Sequence, residues 1–204
     1  LESTKYSYYL MLMLCLPICL VTEPLLDLWL DEVPQYTTIF LQLTIVTSLF
    51  QVFDTSFYTA LYAKGQIREN ALVSPMLSFF SFPIIYVLFR CGYSPVSLAW
   101  VMLVLYAILG LVVKPILIIK IVDYRWSDIR YVFFYCLKVT LLAVPLPCLL
   151  YCTQGSLGLG KWTAFVLLIL ISVICVAIAI WFAGIDKNMR KKIIDFAKRK
   201  LSKS

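Results

Sequence analysis

Six apolar stretches, each long enough to cross a lipid bilayer as a helix, constrain this chain more than any other feature. They cover about residues 7–29, 37–63, 70–90, 95–119, 131–152 and 162–184. A helix needs about 20 apolar residues to cross a hydrocarbon core about 30 Å thick. The stretches do not alternate with the period of two that is typical of outer-membrane strands. With 62% hydrophobic residues and a mean hydropathy of +0.92, the sequence predicts an all-α polytopic membrane protein with six transmembrane helices.

Lysine and arginine are distributed unequally between the two sides of the predicted helices. One side, which holds both ends of the segment, receives Lys5, Lys64, Arg68, Lys120, Arg125, Arg130 and the eight basic residues between Lys187 and Lys203. The other side receives only Arg90 and Lys161. Because cytoplasmic loops carry the excess of Lys and Arg, we predict that both ends are cytoplasmic. On the outer side Glu23, Asp27 and Asp31 recur every four residues, which predicts a solvated helix end.

The basic residues that follow the last apolar stretch form a tail over residues 185–204. Apolar residues recur there at helical spacing, at Ile185, Met189, Ile193, Phe196 and Leu201. This pattern predicts an amphipathic helix on the inner leaflet, held by anionic lipids, with a disordered basic tail as the alternative. The net charge of +7 is concentrated in this tail without a recognisable nucleic-acid-binding motif, so we expect no nucleic-acid partner.

The residue types of many catalytic and metal sites are absent or badly spaced. The sequence has no His, and four of its seven cysteines form pairs four residues apart within apolar stretches, Cys15 with Cys19 and Cys148 with Cys152. A cysteine in such a place behaves as a small hydrophobic residue. We therefore predict packing roles for the cysteines, no disulfide, no metal site and no cofactor. The sequence also lacks a phosphate-binding Gly-rich loop and a nucleophile elbow, so an enzyme is not expected.

The second apolar stretch carries a polar stripe around one carboxylate, Asp54. Residues at a spacing of three or four form this stripe, namely Thr44, Thr47 or Ser48, Gln51, Asp54 or Thr55, Tyr58 and Tyr62. Asp54 lies close to the middle of the predicted helix, where a charged side chain costs about 2.5–3.5 kcal/mol on insertion scales. Such a stripe is expected to face a cavity, with Asp54, Thr47 and Tyr58 as candidates for ion coupling or for lining it. The alternative is that Asp54 is protonated, or is hydrogen-bonded to Gln51 or Tyr58, and only ties helices together.

Two lysines lie inside other apolar stretches, Lys114 in the fourth and Lys138 in the fifth. Both lie toward the cytoplasmic half of the predicted helices. Their stems could extend to the inner headgroups, or their ammonium groups could contact an anion in a cavity. We regard Lys114, Lys138 and Gln51 as candidate substrate-binding residues.

From "SYYLMLMLCLPICLVTEPLLDLWLDEVPQYTTIFLQL" onward, over about residues 3–200, the chain resembles the bacterial oligosaccharide flippases of the Wzx type. These belong to the MATE-like superfamily of multidrug and polysaccharide exporters. Three segments carry the resemblance in order: "LWLDEVPQY", "SLFQVFDTSFYTALYAKGQI" and "FPIIYVLFRCGYSPVSL". Lys114 matches a position where the family often has Arg. Ser56 stands where the family often has Pro, and the position of Asp54 is not fixed to a carboxylate.

The resemblance implies a C-terminal lobe that works with an N-terminal lobe of the same polypeptide, so we expect the sequence to begin within a longer protein. It implies translocation of a polyprenyl-pyrophosphate-linked oligosaccharide across the bacterial inner membrane, for the biosynthesis of a surface polysaccharide such as lipopolysaccharide. The diphosphate would be bound by cations such as Lys114 or Lys138. An ion-coupled antiporter of drugs or cations is the alternative in the same superfamily. A membrane assembly or anchoring subunit is the alternative of another class.

Overall fold

The computed structural model describes residues 1–65, 67–154, 160–185 and 189–191. Its regular elements in these ranges are helices: α1 Glu2–Leu20, α2 Thr22–Trp29, α3 Thr37–Ala63, α4 Ile67–Arg90, α5 Val96–Ile108, α6 Lys114–Val122, α7 Trp126–Ala143, α8 Pro145–Thr153 and α9 Lys161–Ala179. A π-helical turn over Leu109–Val113 joins α5 to α6. A second one over Ile180–Gly184 follows α9. Most of the predicted tail lies outside the described residues.

The described helices confirm an all-α, multi-pass membrane protein. When helices that are joined without a sharp bend are counted as one span, five spans are long and apolar enough to cross a membrane. They cover Thr37–Ala63, Ala71–Arg90, Val96–Val122, Trp126–Thr153 and Lys161–Gly184. The pair α1 and α2 makes a sixth if it is counted as one bent span. The helical boundaries differ most from prediction at the starts of the first and fifth stretches, which begin at Glu2 rather than residue 7 and at Trp126 rather than residue 131.

The first apolar stretch is bent, whereas the sequence predicts one helix over residues 7–29. The axes of α1 and α2 differ by 71° across Val21. Pro17 lies one turn before the bend and cannot donate a backbone hydrogen bond. The Thr22 hydroxyl donates to the carbonyls of Ile18 and Cys19 at 2.8 and 3.0 Å, and the Gln42 amide donates to Cys19 at 3.2 Å. These bonds satisfy carbonyls that a continuous helix would have used, so they stabilise the bend.

The helices pack around a central pair, α1 and α3. The α5–α6 span packs on α3, while α7 and α9 pack on α1, and α4 lies against α5 at one edge. Aromatic rings fill the centre, where Phe53 stacks on Tyr8 at 5.1 Å between centroids and meets Phe133 edge to face at 5.1 Å. The Tyr8 hydroxyl lies 2.8 Å from the Thr140 hydroxyl, which joins α1 to α7. Asp54 is the residue of α3 that directly follows Phe53.

Candidate functional site

An ion pair lies inside the apolar part of the bundle. The ammonium Nζ of Lys114 is 3.0 Å from Oδ1 of Asp54. The Lys114 side chain is 1% exposed, while that of Asp54 is 23% exposed. The ammonium also lies 5.7 Å from the ring centroid of Tyr58, one helical turn beyond Asp54, at the distance of a cation–π contact. The pair is therefore closed on the lysine side and partly open on the carboxylate side.

Both partners lie at the same depth. Asp54 is nine residues from the end of α3 at Ala63, and Lys114 is eight residues from the end of α6 at Val122. At a rise of 1.5 Å per residue these distances are about 14 and 12 Å. Since half of a hydrocarbon core is about 15 Å thick, the pair is close to the middle of the bilayer. Charged residues at that depth usually face one another or a water-filled cavity, and they are functional candidates.

The remaining residues of the α3 stripe are divided between two environments. The hydroxyls of Thr44, Thr47 and Ser48 donate to carbonyls four residues earlier on the same helix, at 2.7–3.1 Å. Thr47 is buried, and Thr47 and Gln51 line a small groove of about 190 Å³ between α3 and α5. Tyr58 and Tyr62, by contrast, are 39% and 58% exposed. The structure thus brings Tyr58 to the ion pair and places Thr47 and Gln51 against α5.

Lys138 has different surroundings from Lys114. It is exposed on α7, and among the described residues it forms no ion pair. Because α7 carries Arg130, which belongs to the predicted cytoplasmic side, Lys138 lies eight residues, or about 12 Å, beyond that basic residue. This distance is about two helical turns, over which a lysine stem can extend toward the headgroups. Its helical neighbours Phe134, Leu141 and Leu142 are exposed and apolar.

The structure also buries a lysine that sequence reasoning placed at the cytoplasmic surface. Lys5 is 1% exposed and forms an ion pair of 2.8 Å with Glu2. Its ammonium lies 4.8 and 5.2 Å from the ring centroids of Tyr131 and Tyr135. The spacing of the two tyrosines by four residues is the only signal in the sequence for this contact. The contact of Lys5 with the two tyrosines joins the start of α1 to α7.

Ion pairs also join helices near both ends of the bundle. Lys64 lies 3.5 Å from Asp123, which joins the end of α3 to the turn after α6. At the other end, Lys161 donates a 2.8 Å hydrogen bond to Asp27 beside a groove of about 350 Å³. Glu23, Tyr151 and Gln154 also line that groove. The sequence predicts that Asp27 lies on a solvated helix end. In the structure Asp27 also contacts Lys161 of α9.

The described residues contain no group of three His, Cys, Asp or Glu side chains that could hold a metal ion. All seven cysteines carry free thiols. Comparison of the chain with models of protein families, with curated proteins and with solved structures finds no match. The site consists of a buried ion pair and a separate exposed lysine within the apolar helices.

Proposed function

We propose that this chain is one lobe of a flippase that moves a polyprenyl-pyrophosphate-linked oligosaccharide from the cytoplasmic to the periplasmic leaflet of the bacterial inner membrane. The observation that carries the proposal is the Lys114–Asp54 pair, which opens at the carboxylate onto the exposed side of α3. A buried ion pair is often no more stabilising than an apolar replacement. A pair kept in the middle of the bilayer is better explained by transport than by packing.

The substrate class follows from the charges and from the resemblance of the sequence to Wzx-type flippases. A diphosphate needs cations at membrane depth, and Lys138 is an exposed one on α7. Lys114 is held by Asp54, so it can bind a substrate anion only when it leaves that carboxylate. We therefore assign first contact with the diphosphate to Lys138 and a conformation-dependent contact to Lys114. The sugar would occupy a polar cavity between this lobe and a second one, while the lipid tail stays in the bilayer.

Alternating access requires that the two lobes rock against each other around the bound substrate. Tyr58 and Tyr62 give α3 an exposed surface that is suited to a cavity wall, because each tyrosine combines an apolar ring with a polar tip. The bend between α1 and α2 and the π-helical turn beside Lys114 are departures from straight helices. Such departures are common where helices line a transport site. Both ends of the segment are cytoplasmic in this proposal, following the charge asymmetry of the loops.

The test removes both charges of the pair at once in the full-length protein. Asp54→Asn with Lys114→Gln avoids an unpaired buried charge, so we expect membrane abundance near that of the wild type. Export of the surface polysaccharide should be lost. The matched control is Lys64→Gln with Asp123→Asn, which removes an exposed ion pair worth at most about 1 kcal/mol and should leave export normal. Normal export by the Asp54–Lys114 double variant would contradict the proposal.

An ion-coupled antiporter of small molecules is the second candidate, and the partial exposure of Asp54 favours it. A carboxylate that is open on one side can exchange its lysine partner for another cation. The two candidates differ in their substrates. Cells with the double variant would keep surface polysaccharide but lose resistance to a cationic drug if the protein were such an antiporter.

A further inference from the structure

We infer that the π-helical turn Leu109–Val113 is the device that sets Lys114 against Asp54, and that Pro115 and Gly110 are its positioning residues. The sequence of this region is "GLVVKP", from Gly110 to Pro115. The inference concerns the ion pair of the proposed function, and its consequence for transport rests on that function. The placement of Lys114 by the turn can be tested without any transport measurement.

We attribute the wide turn to Pro115. A proline inside a helix has no N–H, and its ring clashes with the carbonyl four residues earlier, here that of Leu111. In the structure the N–H of Lys114 donates to the carbonyl of Leu109, five residues earlier instead of four. This bond gives the turn one residue more than an α-helical turn and makes room for the proline ring.

The extra residue determines which side chain faces α3. Gly110, Lys114 and Ile118 are buried at successive intervals of four residues. The reference for this shift is α5, which precedes the turn. One extra residue in the turn moves every later residue by one position relative to α5. With a regular turn, residue 113 would occupy the place of Lys114, and the lysine would be rotated by about 100° away from Asp54.

Gly110 determines how close the turn comes to α3. A Cβ atom at this position would lie 2.8 Å from the carbonyl oxygen of Phe50 and 3.3 Å from Cβ of Phe53. The same atom would lie 3.7 Å from the backbone nitrogen of Asp54. Any larger residue would push the two helices apart at the level of the ion pair. Gly110 therefore sets the distance and Pro115 sets the rotation of Lys114.

The experiment moves the lysine by one residue together with the turn. Pro115→Ala restores the missing N–H, so the turn should become regular and Lys114 should lose Asp54. We expect the membrane abundance of the full-length protein to fall several-fold, because a buried ammonium is left without its carboxylate. Adding Val113→Lys and Lys114→Val to Pro115→Ala should bring the lysine back to Asp54 and restore most of the abundance.

The same two lysine substitutions with Pro115 retained are the matched control, and there we expect low abundance because the lysine now points away from Asp54. The rescue should also depend on the carboxylate, so Asp54→Asn should remove it. Unchanged abundance of Pro115→Ala would overturn the inference. So would failure of the moved lysine to rescue it, or equal abundance of the moved lysine with and without Pro115. None of these results depends on export, which tests the proposed function separately.

Discussion

Lys114 and Lys138 both lie within apolar helices, but they differ in burial and in charge pairing. Lys114 is buried, lies 3.0 Å from Asp54 and is close to the ring of Tyr58. Lys138 is exposed among apolar side chains of α7. The charge of Lys114 is paired with a carboxylate of the same chain. Lys138 has no ion-pair partner among the described residues, and the proposed function places it at a polar cavity.

This difference separates a structural requirement from a binding requirement. Removing one partner of a buried pair leaves the other charge without compensation. Removing an exposed lysine leaves no charge behind, and it removes only the contact with whatever lies opposite. Variants of the first region should therefore change stability, and variants of the second should change binding with little effect on stability.

The largest effect is expected when the pair is broken from the Asp54 side. Asp54→Asn leaves the ammonium of Lys114 buried at 1% exposure, whereas Lys114→Gln leaves a carboxylate that is already 23% exposed. Breaking a fully buried pair costs about 3–5 kcal/mol. We expect Asp54→Asn to approach the lower end of that range and Lys114→Gln to fall clearly below it. Thermal unfolding of the purified full-length protein would measure both.

The double variant of the two residues is the internal control for this prediction. It should unfold closer to the wild-type temperature than Asp54→Asn does, because neither charge remains. If Lys114→Gln proved the more damaging single change, the buried side of the pair would be the carboxylate, and our description of its opening would be wrong.

A smaller effect on stability is expected at Lys138, together with a clear effect on accessibility. At the centre of a lipid-facing helix, Lys→Leu should gain about 2.5–3.5 kcal/mol on insertion scales. We expect Lys138→Leu to change the free energy of unfolding by less than about 1 kcal/mol, because in the proposed function this lysine faces a polar cavity. In the full-length protein, Lys138→Cys should react with a hydrophilic thiol reagent, whereas Leu141→Cys, one turn away and also exposed, should not.

Equal and slow labelling at both positions would show that α7 presents Lys138 to lipid. The contrast between the two lysines would then be one of packing alone, and the first contact with the diphosphate would have to be assigned elsewhere.

The membrane-spanning helices were predictable because their signal is local. A run of about 20 apolar residues stabilises a helix in a bilayer whatever its neighbours are. The bend at Val21 was not predictable in the same way. It depends on Pro17, which the sequence shows, and also on the amide of Gln42, which reaches Cys19 only after α3 has packed.

The candidate site was predicted in part. The depth of Asp54 and its shared helical face with Tyr58 follow from counting residues. In the structure both residues contact the ammonium of Lys114. The burial of Lys114 does not follow, since it depends on a rotation within the π-helical turn that a period of 3.6 residues cannot express. Thr47 and Gln51 belong to the stripe by spacing, yet they line the groove with α5, because the contact of α5 with α3 is tertiary.

The smallest effect is expected at Tyr58, and it tests whether the ring belongs to the environment of the paired lysine. The ammonium of Lys114 is 5.7 Å from the ring centroid, and a cation–π contact contributes about 0.5–2 kcal/mol. Tyr58→Phe keeps the ring and should leave the unfolding temperature nearly unchanged. Tyr58→Leu removes it and should lower the free energy of unfolding by about 0.5–1 kcal/mol. If the loss arises from the lysine, the difference between Phe and Leu should shrink when both are made together with Asp54→Asn and Lys114→Gln, which removes both charges and leaves only differences in packing. A difference of the same size in both backgrounds would mean that Tyr58 contributes through packing, against Tyr62 at 6.0 Å between ring centroids, and that Asp54 is the dominant partner of the lysine.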